Sequence, residues 1–187
     1  MTGPLEPTNE GYALAKIAGI RLVQALNKQH GFNAICPMPC NLYGPNDSFD
    51  LQHSHVLSAL VRKFVDAVEE GRSEVQIWGT GIARREFLHV DDLAEALVFL
   101  MNTHNNPEII NIGCGYDVSI NELAGIIQEC TGFNGRLTFD RTKPDGMLRK
   151  CLDVSRMKAL GYIPMIRLER GIKEMINDYK KLKRNTA

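Results

Sequence analysis

The sequence lacks the features that mark membrane, secreted and nucleic-acid-binding proteins. Lysine plus arginine and aspartate plus glutamate number 22 each, so the chain has no net charge to attract a polyanion. No apolar run approaches the roughly 20 residues of a membrane span, and the first seven residues lack the basic and apolar regions of a signal peptide. We therefore expect a cytoplasmic protein that has neither a membrane nor a nucleic acid as its partner.

Cysteine pairs with metal-site or redox spacing are also missing. The five cysteines are an odd number, and no two of them form a Cys-x-x-Cys motif. We interpret them as reduced, mostly packing residues, and we predict no metal site.

The chain does contain an alternation of amphipathic helices and short apolar strands. Apolar spacing and capping residues predict helices between Asn9 and Gly31, from Val56 to just before Gly71, after a cap at Asp91 or Asp92, after the capping box Ser119 to Glu122, and from about Leu168 towards Lys183. Strands are predicted at 34–42, 74–78, 85–90, 109–112 and 136–139. The second and third of these strands flank Gly79-Thr80-Gly81, which is compatible with a hairpin. The order predicts an α/β fold.

Tyr12 and Lys16 lie four residues apart in the first two turns of the first helix, so their side chains share one face. The ammonium can then favour the ionised form of the phenol, which suits a proton donor to a carbonyl. The pattern Tyr-x-x-x-Lys also arises by chance, with an interfacial tyrosine and a solvated lysine. Its catalytic meaning therefore depends on the rest of the sequence.

A tyrosine and lysine of this kind need a dinucleotide-binding domain, but the glycine-rich turn that binds the pyrophosphate is missing. Gly79-Thr80-Gly81 lies between strand-like segments, and Gly113-Cys114-Gly115 lacks the third glycine. By itself, the sequence reads as starting in the middle of a fold.

Five motifs occur together in one order. They are Glu6-Pro7-Thr8-Asn9-Glu10-Gly11-Tyr12-Ala13-Leu14-Ala15-Lys16, Asn41-Leu42-Tyr43-Gly44-Pro45, Ser54-His55-Val56, Arg85-Glu86-Phe87-Leu88-His89-Val90-Asp91-Asp92 and Lys143-Pro144-Asp145-Gly146. Over nearly its whole length the chain resembles the GDP-L-fucose synthase family, a branch of the extended short-chain dehydrogenase/reductases. The resemblance implies a partial Rossmann-like domain, its last helix and strand, in residues 1–50. Residues 51–187 would then form mainly the smaller α/β domain that binds the nucleotide sugar.

The resemblance implies an NADP-dependent oxidoreductase that epimerises GDP-4-keto-6-deoxy-mannose at two carbons and then reduces its 4-keto group. By the family pattern, Tyr12 is the general acid of the reduction, and Lys16 holds the nicotinamide ribose and the protonation state of Tyr12. The segment Pro39-Cys40-Asn41-Leu42 corresponds to the backbone against the nicotinamide. His55 matches a histidine that contacts the cofactor and acts as an acid in the epimerisations, which suits a side chain that titrates near neutrality. A lone histidine at a helix start is otherwise more often a cap or a packing residue.

The family's nucleotide-sugar positions carry two cations, an aromatic ring and a carboxylate, namely Lys63, Trp78, Arg85 and Asp145. Two choices stay open. On helical spacing Arg62 lies closer than Lys63 to the face of His55, and strand alternation lets only one of Arg84 and Arg85 face inward. A solvated charged face is the plain alternative for these cations, and a simple turn residue is the alternative for Asp145.

Three elements of the family pattern have no counterpart in the sequence: the glycine-rich NADP loop, an active-site serine and the cysteine base of the epimerisation. Cys36 and Cys40 lie after the tyrosine helix and are not assigned that role. We expect the chain alone to have little or no activity, not to bind NADP tightly, and to leave apolar surface exposed on the Tyr12 helix and the strand at 34–42. Expected partners are a GDP-sugar and a second copy bound through the Tyr12 helix. For the missing elements two explanations stay open: a truncated or split gene product, or a fragment that pairs with an N-terminal half supplied elsewhere.

Two other functions stay open from the sequence. The chain could belong to another nucleotide-sugar epimerase or dehydratase, since Tyr-x-x-x-Lys recurs in that superfamily. It could also be a noncatalytic GDP-sugar-binding or assembly module that keeps the nucleotide-sugar positions but uses no Tyr12 chemistry. His55 and the run from Arg85 to Asp92 favour the fucose branch.

Overall fold

The computed structural model describes residues 3–51 and 53–186. Over this range, six α-helices alternate with short strands, after a single 3-10 turn at Pro7–Asn9. The helices are α1 (Glu10–His30), α2 (Val56–Glu69), α3 (Val90–Thr103), α4 (Ile120–Thr131), α5 (Ser155–Ala159) and α6 (Leu168–Thr186). The strands are β1 (Cys36–Pro39), β2 (Asn41–Tyr43), β3 (Glu74–Trp78), β4 (Arg84–Arg85), β5 (Phe87–His89), β6 (Ile109–Ile112), β7 (Val118–Ser119), β8 (Arg136–Asp140) and β9 (Arg149–Lys150).

The strands pair mostly in parallel and mostly with partners distant in the sequence. β1 pairs with β6, β2 with β5, and β3 with β8, all in parallel. The central strand β4 lies between antiparallel β7 and parallel β9. Parallel neighbours need a long crossover connection, usually helical, so this topology confirms the α/β class predicted from the sequence.

Two hydrophobic cores hold the helices and strands together. In the first, α2, α4 and α6 bury their apolar stripes against one another, and Phe64, Leu123, Ile127, Ile172 and Met175 have no exposed surface. The capping box predicted at Ser119 and Glu122 is confirmed at the start of α4, where it fixes the direction in which that helix enters the core.

The second core lies around β1, β5 and β6. Leu88, Leu100, Ile110 and Ile112 are completely buried there, and Cys40 packs with them. Strands from before and after residue 50 therefore share one core. The division of the chain into parts 1–50 and 51–187 stays a prediction.

Three local predictions need correction. The predicted hairpin is wrong, because β3 pairs with β8 and not with the segment that follows Gly79-Thr80-Gly81. The predicted strand 85–90 is interrupted where the Glu86 carboxylate turns inward and accepts hydrogen bonds from the backbone N–H groups of Gly115 (2.6 Å) and Leu152 (2.8 Å). The cap of α3 is His89, whose Nδ1 accepts from the Asp91 N–H at 3.2 Å, and not Asp91 or Asp92.

The strand predicted at 34–42 is also divided. Its two parts, β1 and β2, join different partner strands, and Cys40 lies between them. Pro37 and Pro39 cannot donate backbone hydrogen bonds, which limits regular pairing along this segment.

The first helix differs from the others in how little of it is covered. Among the described residues of α1, only Ile20 is buried. Leu14 and Leu22 of this helix are 53% and 60% exposed, so the apolar surface expected on the Tyr12 helix is present. As predicted, Gly31 ends the helix in a left-handed conformation.

Within the described residues, no helix is both long and apolar enough to cross a bilayer. The same part of the chain has no group of three or more histidine, cysteine, aspartate or glutamate side chains arranged to hold a metal ion.

Candidate functional site

The structure brings Tyr12 and Lys16 together on the first turns of α1. The Lys16 Nζ lies 5.4 Å from the centroid of the Tyr12 ring, so the predicted juxtaposition of ammonium and phenol is confirmed. The Tyr12 side chain is 61% exposed and therefore accessible to a ligand. Helix geometry alone produces this pair, because residues i and i+4 lie on one face.

The segment Pro39-Cys40-Asn41-Leu42 joins β1 to β2. Cys40 is buried, and its N–H donates to the Ile112 carbonyl at 3.0 Å. Burial, together with the nearby Glu86 carboxylate, raises the pKa of the Cys40 thiol far above its usual range, so this cysteine is a packing residue and not a nucleophile. The Asn41 side chain donates to the Glu86 carbonyl at 2.8 Å, which leaves mainly the backbone of this segment to meet a ligand.

His55 and Leu42 line a common cavity of about 280 Å³, here called the His55 cavity. Its lining residues are Leu42, Tyr43, Gly44, Pro45, Asn46, Asp47, His55 and Val90. His55 occupies the N-cap position of α2, but its side chain makes no capping hydrogen bond. The alternative that the His55 side chain caps the helix is therefore not supported, and its imidazole remains available to the cavity.

A second cavity of about 280 Å³ brings together all four residues predicted to bind the nucleotide sugar. This Trp78 cavity is lined by Leu51, Ser54, Val56, Ala59, Leu60, Lys63, Ile77, Trp78, Ala83, Arg85, Ile120, Pro144 and Asp145. The chain neighbours Val56 and His55 line the Trp78 cavity and the His55 cavity, respectively. Two cations and an indole around an apolar floor can bind a phosphate-bearing aromatic ligand.

Lys63, and not Arg62, lines the Trp78 cavity. The Lys63 Nζ donates to the Gln76 carbonyl at 3.0 Å and lies 5.2 Å from the centroid of the Trp78 ring. Burial lowers the pKa of Lys63 from its usual value. Arg62 turns away instead, since its Nη1 donates to the Phe49 carbonyl at 3.0 Å and its Nε lies 3.5 Å from the Asp66 carboxylate.

The two consecutive arginines of β4 also point in different directions, and only one of them faces the cavity. Arg85 lines the cavity and donates from Nη1 to the Arg84 carbonyl (2.8 Å) and from Nη2 to the Asp145 carbonyl (3.4 Å). A guanidinium has five N–H donors, so others remain for a ligand. Arg84 lies outside the cavity and pairs with Asp117 at 2.6 Å and Glu122 at 3.2 Å.

The Asp145 carboxylate holds the Gly79-Thr80-Gly81 turn beside the cavity. It accepts hydrogen bonds from the Thr80 N–H and the Thr80 hydroxyl, both at 2.7 Å, and these bonds hold its pKa below the usual range. Gly79 has φ +80°, and a side chain there would collide with this carboxylate. Asp145 is therefore more than a plain turn residue, because it joins two segments of the cavity wall.

Lys143 is a residue at this site that the sequence reasoning missed. Its Nζ lies 5.5 Å from the centroid of the Trp78 ring, so two ammonium groups approach one indole. The signal was present in the motif Lys143-Pro144-Asp145-Gly146, from which only the aspartate was selected.

Comparison with known proteins gives a consistent result. The model of the NAD dependent epimerase/dehydratase family matches residues 1–113. GDP-L-fucose synthase 1 of Arabidopsis thaliana is 52% identical over 181 residues, which cover 97% of this chain and 56% of that protein. GDP-L-colitose synthase of Yersinia pseudotuberculosis is 41% identical over 187 residues, which cover 99% of this chain and 61% of that protein.

A solved structure agrees with these relatives. The GDP-L-fucose synthetase of Naegleria fowleri bound to NADP matches with a TM-score of 0.87 at 27% identity, covering 97% of this chain and 59% of that one. The chain thus spans little more than half the length of the relatives it matches. Since the family model matches more than half of its residues, the chain belongs to the NAD dependent epimerase/dehydratase family.

Proposed function

We propose that the chain forms the nucleotide-sugar-binding part of a GDP-L-fucose synthase-like enzyme, an NADP-dependent epimerase and reductase of GDP-4-keto-6-deoxy-mannose. The observation that carries the proposal is the Trp78 cavity, which gathers Lys63, Trp78, Arg85 and Asp145 from separate segments of the chain. The two curated relatives, both named for a GDP-sugar product, support the substrate class.

The cavity chemistry fits a GDP-sugar. Arg85 can present parallel N–H donors to a diphosphate, and the Lys63 ammonium adds a point charge. The half-exposed ring of Trp78 offers a surface on which a guanine can stack. Asp145 keeps acceptor capacity beyond its two bonds from Thr80, which suits a hydroxyl or N–H of the ligand.

The cofactor implied by the family fits one part of the chain. The exposed face of Tyr12 and Lys16 can hold the nicotinamide ribose, and the backbone at Pro39 to Leu42 can lie beside the ring, but the sequence has no glycine-rich turn for the pyrophosphate. When bound, NADPH supplies the hydride for the 4-keto carbon. Tyr12 then holds the proton that passes to the carbonyl oxygen, and Lys16 orients the ribose and balances the phenolate charge.

His55 is the proposed acid of the epimerisation. A base that the N-terminal half would supply takes a proton from the carbon next to the 4-keto group, which produces an enolate, and return of a proton to the opposite face inverts that carbon. An imidazole at the edge of its own cavity, without a capping bond, can deliver that proton. His55 and Val56 are chain neighbours that line the two cavities, which supports a sugar that extends from one cavity to the other.

Isothermal titration calorimetry with GDP tests the binding part of the proposal. We expect the wild-type chain to bind GDP, and Trp78→Ala to weaken binding by roughly 5- to 100-fold through loss of base stacking. The matched control is Tyr116→Ala, which truncates an aromatic side chain of equal exposure outside the cavity. Absence of GDP binding by the folded wild-type chain would contradict the proposal.

Turnover tests the catalytic part. The substrate GDP-4-keto-6-deoxy-mannose and NADPH are supplied with the chain, with and without the N-terminal half of the Arabidopsis thaliana relative. We expect GDP-fucose only when that half is present, and we expect weak NADPH binding by the chain alone in a fluorescence titration. Tight NADPH binding would overturn the view that a glycine-rich turn is needed here.

Two alternatives remain as outcomes of these measurements. The relationship to GDP-L-colitose synthase favours a different product as the first alternative, and identification of the product by mass spectrometry and NMR separates the two. A noncatalytic GDP-sugar-binding module is the second, favoured by a cavity whose four ligand-binding candidates lie on this chain. GDP binding without any rescue of turnover would support that module.

A further inference from the structure

A carboxylate outside the Trp78 cavity holds two arginines from two different strands. Asp117 lies just before β7, and its side chain is only 6% exposed. Its Oδ1 is 2.6 Å from the Arg84 Nε of β4, and its Oδ2 is 2.5 Å from the Arg149 Nε of β9. Arg84 also donates from Nη2 to the Asp117 carbonyl at 2.9 Å. One residue therefore ties together all three strands of this sheet.

The contacts of Asp117 with Arg84 and Arg149, here called the Asp117–Arg84–Arg149 clamp, are important for this sheet because its strands are very short. β4, β7 and β9 have two residues each, with Arg84 opposite both Ser119 and Arg149. Few backbone hydrogen bonds can form along such strands, so side-chain contacts have a large share in fixing the direction of β4. Arg84 gains a further anchor from Glu122, whose carboxylate completes the capping box of α4.

The clamp acts directly next to a cavity residue. Arg85 follows Arg84 on β4 and points to the other side of the strand, towards the cavity. The Arg85 Nη1 donates to the Arg84 carbonyl at 2.8 Å, so the backbone that Asp117 fixes also holds the guanidinium of Arg85. Without the Asp117 charge, Arg84 and Arg149 would be two adjacent cations that repel each other.

We propose that Asp117 is a positioning residue for Arg85, and that the Asp117–Arg84–Arg149 clamp presents the Arg85 guanidinium to the diphosphate of a nucleotide ligand. The inference rests on the proposed function for the identity of that ligand. Asp117 itself does not line the cavity. Its effect is therefore transmitted through β4, and it should be specific to Arg85 among the cavity residues.

A double-mutant cycle on the affinity for GDP tests this specificity. We expect Asp117→Asn to weaken GDP binding about fivefold in the wild-type background and in the Lys63→Ala background. In the Arg85→Ala background it should have almost no effect, because residues that act as one unit are not additive. An equal loss in all three backgrounds would assign Asp117 a purely structural role and overturn the proposal. Glu74→Gln is the control, since it breaks an arginine–carboxylate pair outside this sheet, with Arg136.

An NMR measurement without ligand distinguishes the positioning role of Asp117 from the proposed GDP-binding function. The Nε–H NMR signals of Arg84, Arg85 and Arg149 report the clamp directly. We expect Asp117→Asn to shift the Arg85 signal, and Glu74→Gln to leave it unchanged. An unshifted Arg85 signal would overturn the positioning role, whether or not GDP binds. Failure of the wild-type chain to bind GDP would overturn the proposed function alone. If Asp117→Asn does not fold, Arg149→Gln removes one arm of the clamp and should give the same pattern with a smaller shift.

Discussion

The Trp78 cavity and the Tyr12 helix are built in opposite ways. The cavity takes its wall from α2, β3, β4 and the Asp145 loop, all of which pack on the first core or are joined to it by hydrogen bonds. Helix α1 buries only Ile20 among its described residues and exposes Tyr12, Leu14 and Leu22. One region is fixed by tertiary contacts, whereas the other owes its arrangement to helix geometry.

Under the proposed function, this difference assigns GDP-sugar binding and proton transfer to two regions that are packed independently. A ligand cavity needs several segments at fixed distances, and the first core provides them. A tyrosine–lysine pair needs only one helical turn, so its two side chains can lie side by side even where little of the chain surrounds them. The following changes test whether the two regions are as independent as their packing indicates.

Tyr12→Phe should give the largest effect, and only on turnover. Removing the phenolic proton donor is expected to lower the rate of reduction by about 10²- to 10⁴-fold in the preparation completed with an N-terminal half. GDP affinity measured by calorimetry should stay unchanged, since Tyr12 does not line the Trp78 cavity. A parallel loss of GDP affinity would mean that the two regions are coupled.

Phe64→Ala should have the next largest effect, on stability. Phe64 lies on α2, is completely buried and packs edge-to-face on the Phe133 ring, with the ring centroids 5.6 Å apart. Its truncation should therefore cost about 3–5 kcal/mol of unfolding free energy. The contrasting variant is Leu22→Ala on α1, expected to change stability by less than about 0.5 kcal/mol because Leu22 is exposed. Urea denaturation followed by circular dichroism measures both. Similar losses of unfolding free energy in the two variants would contradict the difference in packing between α2 and α1.

Leu22→Arg should weaken self-association of the chain. The apolar face of α1 is the proposed surface for a second copy, and a charge placed on it should raise the dissociation constant at least about tenfold. Sedimentation velocity should then show a shift towards the 20.9 kDa monomer. Met165→Arg is the control, because Met165 is 78% exposed and belongs to the segment between α5 and α6, not to α1. A wild-type chain that is monomeric and binds no hydrophobic dye would argue against this surface.

Asp145→Asn should have the smallest effect, and one that depends on pH. The folded state holds the pKa of Asp145 below its unfolded value of about 3.9, so the ionised carboxylate stabilises the fold above that value. This contribution is lost as the pH falls through the lower, folded pKa. We expect the wild type to melt about 2 °C above Asp145→Asn at pH 7, and the difference to disappear in strong acid. A constant difference across this range would exclude the carboxylate charge as its cause.

The predictions that the structure confirms are those that depend on the order of residues close together in the sequence. Helix periods, the capping box at Ser119 and the left-handed glycine at Gly31 each depend on residues within a few positions of one another. The juxtaposition of Tyr12 and Lys16 is of the same kind, since it needs only helical spacing. The family resemblance named Lys63, Trp78, Arg85 and Asp145 as nucleotide-sugar positions, and the structure places all four around the Trp78 cavity. Their role in binding stays a prediction.

Two of the predictions were wrong, one through a distant contact and one through a local contact. The hairpin seemed plausible because two strand-like segments flank a glycine turn, yet β3 finds its partner in β8, far along the chain. The expected cap at Asp91 or Asp92 was displaced because the backbone of His89 is extended and its ring accepts the first free N–H. The partner of β3 cannot be derived from neighbouring residues, whereas the His89 cap is a local contact two residues long.

The sequence by itself determined the α/β class, the Tyr12–Lys16 pair and the family to which the chain belongs, because these depend on local periodicity and on motif order. Only the tertiary structure decided that Lys63 and Arg85, and not Arg62 and Arg84, line the cavity. The reason is physical: each excluded arginine has other partners. Arg62 pairs with Asp66 one turn away on α2 and donates to the Phe49 carbonyl, and Arg84 pairs with Asp117 from a distant segment of the chain.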